Sequence, residues 1–303
     1  MRFSKLQGTG NDFILIDTLT GPSQRNWEEL ARAMCDRHFG IGADGLILVQ
    51  DSTIADLKMR VFNADGSEPE VCGNGLRCFA KYAIEKGFVA PISSDSLPVN
   101  STCNQDNPSL AIETPSGLRK AEAYMSENKV NRVRVNMGPP QFQPEQIPVK
   151  AEVNMPIAPG PILGYPLVIS GKKLLLSLLS MGNPHAVTFS SLPVAEFPLA
   201  AIGPKVEEHP AFPQRTNFGV ARVLSRGQIE ARVWERGVGE TLACGSAACA
   251  IAVAAQLLNY VEPQVDIMLP GGALTVSWDR VGEVFLSGPV EEVFTGEWPE
   301  GKT

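Results

Sequence analysis

Apolar runs rich in β-branched residues recur along almost the whole chain, at residues 13–16, 46–49, 57–62, 130–135, 174–179, 186–189, 219–224, 229–234, 265–269, 274–278 and 284–286. Their length and composition predict strands, and the alternation that begins at Arg2 predicts another at the start of the chain. Helical spacing is rarer. It occurs at 27–37, with apolar residues at 27, 30, 31 and 34, at 72 to about 86, and at 244 to about 258. Few helices on much sheet predict an α+β class. Pro, Ser, Asn and Asp crowd residues 91–108, which read as a surface loop, and a second breaker cluster runs from Gly138-Pro139-Pro140 to Pro148. That cluster predicts a boundary between a first domain, 1–137, and a second, 138–288, with the tail 289–303 returning to the first.

The strongest pattern is a duplication. Arg60-Val61-Phe62 precedes Cys72-Gly73 by the interval that separates Arg232-Val233-Trp234 from Cys244-Gly245, and the two sets lie 172 positions apart. Gly10-Asn11 and Gly182-Asn183 share this displacement. Three landmarks on one offset predict two copies of one unit, and hence two pseudo-symmetric domains.

Composition narrows the function classes. With 303 residues, 44% hydrophobic and 19% charged, the chain is long and apolar enough for two folded domains. A net charge of −7 argues against a nucleic-acid surface or a polybasic membrane patch. The longest apolar stretch, 243–261, contains Gly245, Ser246, Gln256 and Asn259 and reads as a core helix rather than a bilayer span. No leader pattern precedes the first strand, so a cytoplasmic protein is expected. The six cysteines, at 35, 72, 78, 103, 244 and 249, form neither a disulfide framework nor a zinc spacing, so reduced thiols and no metal are expected. Gly40-Ile41-Gly42-Ala43-Asp44-Gly45 satisfies a dinucleotide fingerprint, but a strand follows it instead of preceding it, which argues against NAD.

Each copy puts a cysteine where a turn enters a helix. Unpaired backbone N–H groups and the macrodipole there favour an anion, so both thiols are expected to be acidified from about 8.5 toward neutrality. Two such groups, one from each copy, would suit inversion at carbon: one thiolate takes a proton from one face while the opposing thiol delivers a proton to the other. The same helix starts would hold a carboxylate beside the reacting carbon. Cys35, Cys78, Cys103 and Cys249 read as inert core cysteines. His185, after Gly182-Asn183-Pro184, reads equally as a turn residue or a site residue, and Asp44, Asp65 and Glu240 read as turn formers. Glu235 and Asn63 occupy matching positions on the two strand-to-cysteine connections, so both are candidates for the site.

Gly8-Thr9-Gly10-Asn11-Asp12-Phe13, the stretch from Phe62-Asn63-Ala64-Asp65-Gly66-Ser67 to Cys72-Gly73-Asn74-Gly75, Met181-Gly182-Asn183-Pro184-His185, and Glu235-Arg236-Gly237 leading to Ala243-Cys244-Gly245-Ser246 together resemble the diaminopimelate epimerase family over residues 1 to about 290. The resemblance implies a cofactor-independent enzyme that interconverts LL- and meso-diaminopimelate in lysine biosynthesis. It also implies that each domain is a β-barrel-like sheet around a central helix. Its partner would be this small molecule, with a homodimer as the assembly considered.

Carried over to this chain, Cys72 and Cys244 become the acid/base pair, tuned by His185 and Glu235. Gly73, Asn74, Gly245 and Ser246 would hold the α-carboxylate, Asn11 and Glu235 the α-ammonium, and Asn63, Asn183, Asn217 and Arg236 the distal amino-acid group. Two positions depart from the pattern: Gly45 stands where many members carry glutamine, and Ala247 where glycine is usual. The competing expectations are a proline racemase-like isomerase of the same fold, a thiol hydrolase using Cys244 with His185, and a non-catalytic amino-acid-binding protein.

Overall fold

The computed structural model describes residues 1–19, 25–69, 73–88, 107–150 and 160–299, so Cys72, Cys103 and most of the 91–108 stretch lie outside the described residues. The chain divides into two compact units, residues 1–136 with 287–303, and residues 137–286.

In the first unit, β1 (Arg2–Gly8) and β2 (Asn11–Asp17) form a hairpin in which Gly8 pairs with Asn11. Only Thr9 and Gly10 remain for the turn, both at positive φ (55° and 81°), which is why glycine stands at position 10. Then follow α1 (Trp27–Cys35), β3 (Gly45–Gln50), β4 (Leu57–Asn63), α2 (Gly73–Glu85), β5 (Ser109–Thr114), β6 (Gly117–Ser126) and β7 (Lys129–Gly138). α1 starts on Asn26, whose side chain accepts the Glu29 N–H, and buries Trp27, Leu30, Ala31, Met34 and Cys35 along one stripe. α2 is buried from Gly73 to Ala83 and packs against β1, β2, β3, β4 and β6, the central helix of its sheet.

The second unit runs β8 (Ile162–Ile169), β9 (Lys172–Ser180), β10 (Pro184–Phe189), α3 (Leu199–Glu207), β11 (Asn217–Ser225), β12 (Gln228–Glu235), β13 (Gly239–Thr241), α4 (Gly245–Leu257), β14 (Gln264–Leu269) and β15 (Gly272–Ser277). After β16 (Val284–Pro289), β17 (Glu291–Glu297) pairs with β1 of the first unit. α4 is buried from Gly245 to Gln256, and its alanines let β9, β10, β11, β14 and β15 approach closely. Both units are therefore mixed sheets around one buried helix.

The two copies match strand by strand. In each, an antiparallel pair (β1/β2, β9/β10) is followed by a parallel one (β2/β3, β10/β11), then antiparallel (β3/β4, β11/β12), parallel (β4/β5, β12/β14) and antiparallel (β5/β6, β14/β15) pairs. Register obeys the 172 offset: Phe13 faces Gly45 as His185 faces Asn217, and Leu46 faces Phe62 as Phe218 faces Trp234. The helices obey it too, α1 matching α3 and α2 matching α4. Beyond them the offset falls to 155, as the pairs Leu57–Ile112 and Ile229–Ile267 show, so the first copy holds 17 more residues between its central helix and the next strand.

The hydrophobic pattern misses α3, because Pro198 caps it and Pro204 lies inside it, and proline counts against a helix interior. It also misses β6, whose inward residues are the small Ala121 and Ala123, and β17, which is exposed along nearly its whole length. β5, β8 and β13 were likewise not anticipated.

Candidate active site

In the second unit β12 delivers Glu235, the Arg236-Gly237 turn follows, and the chain re-enters through β13 to Cys244, the extended N-cap of α4 (φ −126°, ψ 119°). Cys244 is buried, with its Sγ 3.5 Å from the Ser246 hydroxyl. Burial pushes this thiol well above its ordinary value, and the nearby Glu235 carboxylate pushes the same way, against smaller opposing effects of the Ser246 hydroxyl and the Ala247 N–H. The expected acidification therefore does not hold for Cys244. The Ala247 N–H does point at the sulfur, but removing a thiolate from water costs more than it returns. Cys244 is held as a thiol, equipped to give a proton.

His185 is buried on β10, and its Nε2 lies 2.8 Å from Asn183 Oδ1. Because an amide oxygen only accepts, Nε2 carries the proton. Burial, and secondarily the Arg236 charge, pushes this imidazole down to about 3, so it is neutral near pH 7. Asn217 donates from Nδ2 to the Pro184 carbonyl at 2.9 Å and accepts the Arg236 N–H on Oδ1 at 2.9 Å, tying the histidine strand to the arginine turn. Thr241 donates to Glu235 Oε1. The Arg236 guanidinium is exposed and donates from one Nη to the Gln214 carbonyl at 3.2 Å, leaving the rest of its fork open among the described residues.

The first unit builds its helix start differently. Asn74, buried in the first turn of α2, donates to Asn11 Oδ1 at 3.0 Å and accepts from the fully buried Arg77 at 2.9 Å. Asn11 in turn donates to Asp44 at 2.7 Å, and Asp44 takes Arg37 at 2.7 Å. Arg37 also holds Asp12 at 2.8 Å, which Lys5 approaches to 2.7 Å. Burial opposes the Asp12 charge, yet the hydrogen bonds and charges of Arg37 and Lys5 outweigh it and hold this carboxyl down at about 2.

Asn63 is exposed and donates to the Ser67 hydroxyl at 2.9 Å. Asp65 forms its turn as anticipated, accepting from the Ser67 N–H at 2.8 Å, whereas Glu240 and Asp44 do more than turn the chain: Glu240 pairs with both arms of Arg232, and Asp44 orients Asn11. At Gly45 a Cβ would meet the Phe62 carbonyl oxygen at 2.7 Å, so this backbone has no room for a side chain without shifting. A cavity of about 760 Å³, lined by Phe3, Ile16, Tyr82, Lys86 and Phe88 among others, contains none of these residues.

The structure thus gathers His185, Asn183, Asn217, Glu235, Arg236, Cys244, Gly245 and Ser246 about the start of α4, and Asn11, Gly73 and Asn74 about the start of α2. Cys72, the residue before α2, lies outside the described residues. Residue patterns alone missed Lys5, Arg77 and Glu207, because a charged side chain on a strand or helix carries no sign of its burial, and missed the exposed Arg37, whose partners Asp12 and Asp44 are brought to it only by the fold. The duplication held a usable clue: Glu207 occupies the position of the core residue Cys35.

A family model described as diaminopimelate epimerase matches residues 3–143 and 177–293. The chain is 43% identical over 300 residues to a diaminopimelate epimerase of Pelotomaculum thermopropionicum, covering 99% of each chain. It is 43% identical over 297 residues to one of Caldanaerobacter subterraneus subsp. tengcongensis, covering 98% of this chain and 99% of that one. Among solved structures, a hydroxyproline epimerase from Agrobacterium vitis shares the fold with a TM-score of 0.67 at 14% identity, covering 98% of this chain and 91% of that one.

Proposed function

The chain belongs to the diaminopimelate epimerase family, and from that membership we propose that it is an isomerase that interconverts LL-2,6- and meso-2,6-diaminopimelate with two cysteine thiols and no cofactor. The observation that carries the mechanism is the protonated, buried Cys244 at the start of a helix whose counterpart, α2, begins immediately after Cys72. Inversion needs a base on one face of the α-carbon and an acid on the other. The Cys72 thiolate takes the α-proton; the C–H electron pair is delocalised toward the α-carboxylate, which the N–H groups of Gly73, Asn74, Gly245 and Ser246 hold; the Cys244 thiol returns a proton to the opposite face. Both thiols then re-equilibrate with solvent.

The assignment of acid and base rests on a difference between the copies. Burial, and after it the Glu235 charge, keep Cys244 protonated, while the residue matching Glu235 in the first copy, Asn63, brings no charge. Neutral His185 fixes Asn183 and brings no positive charge near pH 7. Asn11 and Glu235 receive the α-ammonium. Asn63, Asn183, Asn217 and Arg236 serve the distal end, where the open guanidinium fork suits a bidentate carboxylate. A chiral assay of LL-diaminopimelate, proline and hydroxyproline tests the reading: conversion of the first to the meso isomer is expected, and inversion of a proline without any of diaminopimelate would overturn it.

A further inference from the structure

α3 ends on a glutamate that neither the resemblance nor the two-thiol chemistry uses. Glu207 is buried, its side chain 8% exposed. One carboxylate oxygen accepts the Trp234 indole N–H at 2.7 Å, and the other accepts the Gly237 N–H at 2.8 Å and faces Arg215 at 3.4 Å. Trp234 and Gly237 flank Glu235 and Arg236 in the chain, so one carboxylate grips both ends of the turn that carries them. Helix and turn are in close contact here: a Cβ on Gly203 would fall 2.6 Å from the Trp234 ring.

Among the described residues the first unit has no carboxylate in this place. Its counterpart of Glu207 is Cys35, and its turn is held by Gly66 N–H to the Asn63 carbonyl at 2.9 Å, Ser67 N–H to Asp65 at 2.8 Å and a single bond from α1, Arg32 to the Asp65 carbonyl at 2.8 Å. The counterpart of Arg236 there is Ala64. A buried carboxylate is thus present in the copy whose turn presents a guanidinium and absent from the copy whose turn presents none.

We propose that Glu207 is a positioning residue that fixes the direction of Arg236 and so sets selectivity for substrates with a second, distal carboxylate; this rests on the reading of Arg236 given above. Glu207→Gln keeps the shape but turns one acceptor into a donor facing an N–H, leaving a buried group unsatisfied. It is expected to lower kcat/KM for diaminopimelate about tenfold, mainly through KM, with the alkylation rate of Cys244 in the free protein changed far less than by Glu235→Gln. Arg236→Met and the double variant complete a cycle, in which Glu207→Gln should cost almost nothing further once Arg236 is gone.

Losses that multiply in the double variant, or a large loss for Arg236→Met with none for Glu207→Gln, would overturn the role of Glu207 alone. No loss for Arg236→Met would overturn the distal-carboxylate reading, and this inference with it. Should Glu207→Gln fail to fold, Trp234→Phe removes one of the two anchored donors and should raise KM in the same direction by a smaller factor, again only while Arg236 is present.

Discussion

The two halves of this chain share their strand pairings through the central helix and its following hairpin, apart from the short β12/β13 pair of the second, yet they stabilise the start of that helix by opposite means. Around α2 the polar groups form a continuous chain, Arg77 to Asn74 to Asn11 to Asp44 to Arg37 to Asp12 to Lys5, with a positive charge available for each carboxylate. Around α4 the matching positions are mostly uncharged: Cys249 for Arg77, Ser246 for Asn74, Asn183 for Asn11, Thr216 for Asp44, Pro184 for Asp12 and Ser177 for Lys5. Charge appears there at Glu235 and Arg236, opposite Asn63 and Ala64 of the first copy, and at Glu207, which holds their turn. Duplication supplies two equivalent frames, and divergence at a few inward positions gives them different charge.

The largest effect should come from removing either thiol. Cys72→Ala and Cys244→Ala are each expected to reduce epimerisation to background, whereas Cys78→Ala and Cys249→Ala, one turn further into each helix, should leave the chemistry intact. Chiral chromatography reads the outcome, and near-parental turnover in either of the first pair would end the two-thiol account.

Next is the electrostatic asymmetry. Since the Glu235 charge raises the Cys244 pKa, Glu235→Gln should lower it and speed iodoacetamide labelling of Cys244 near pH 7. In the unaltered protein, peptide mapping should find Cys72 labelled ahead of Cys244. The reverse order would remove the distinction between acid and base.

A smaller difference concerns stability. Both copies carry a two-armed ion pair at the same offset, Arg60 with Glu68 at 2.9 and 3.0 Å and Arg232 with Glu240 at 2.7 and 2.9 Å. Arg232 additionally donates to the Val194 and Phe197 carbonyls. Denaturant titration should therefore show Arg232→Met costing about 2 kcal/mol and Arg60→Met under about 1 kcal/mol. Equal losses would mean that the extra carbonyl bonds contribute nothing.

The smallest signal is one that should be missing. His185 is pushed down to about 3 by its burial, so its imidazole resonances should not titrate between pH 5 and 8. An unfolded chain binds that proton near the ordinary value of 6.5, so the stability this residue gives is complete above 6.5 and is lost as pH falls toward 3. His185→Gln should remove that share of the acid sensitivity. A midpoint near 6.5 in the folded protein would contradict the burial.

Much of this was legible in the residues. The Cys-Gly, Gly-Asn and Arg-Val-aromatic landmarks revealed the duplication because glycine turns and helix starts tolerate few substitutes, and the 172 offset then holds from β1 to the end of α4. Applied in reverse, the offset would have found α3 from α1 in spite of Pro204. The state of Cys244 was not legible. A helix N-terminus is visible in sequence, but the burial that overrides its dipole depends on residues brought together from β12 and α4. Glu207 was hidden for the same reason, since nothing in Val206-Glu207-Glu208 separates a buried carboxylate from the exposed one beside it.

The central claim, one thiol for each face of the carbon, is tested most directly by the position of the label in the first turnovers. LL-diaminopimelate is incubated with the protein in deuterium oxide, and substrate and product are analysed by mass spectrometry while conversion is still small. If one cysteine removes the proton and the other delivers one from solvent, the meso product carries a single α-deuterium and the remaining LL substrate carries none. Meso product that retains its original proton, or LL substrate that gains deuterium as fast as product forms, would show one group serving both faces and would contradict the account.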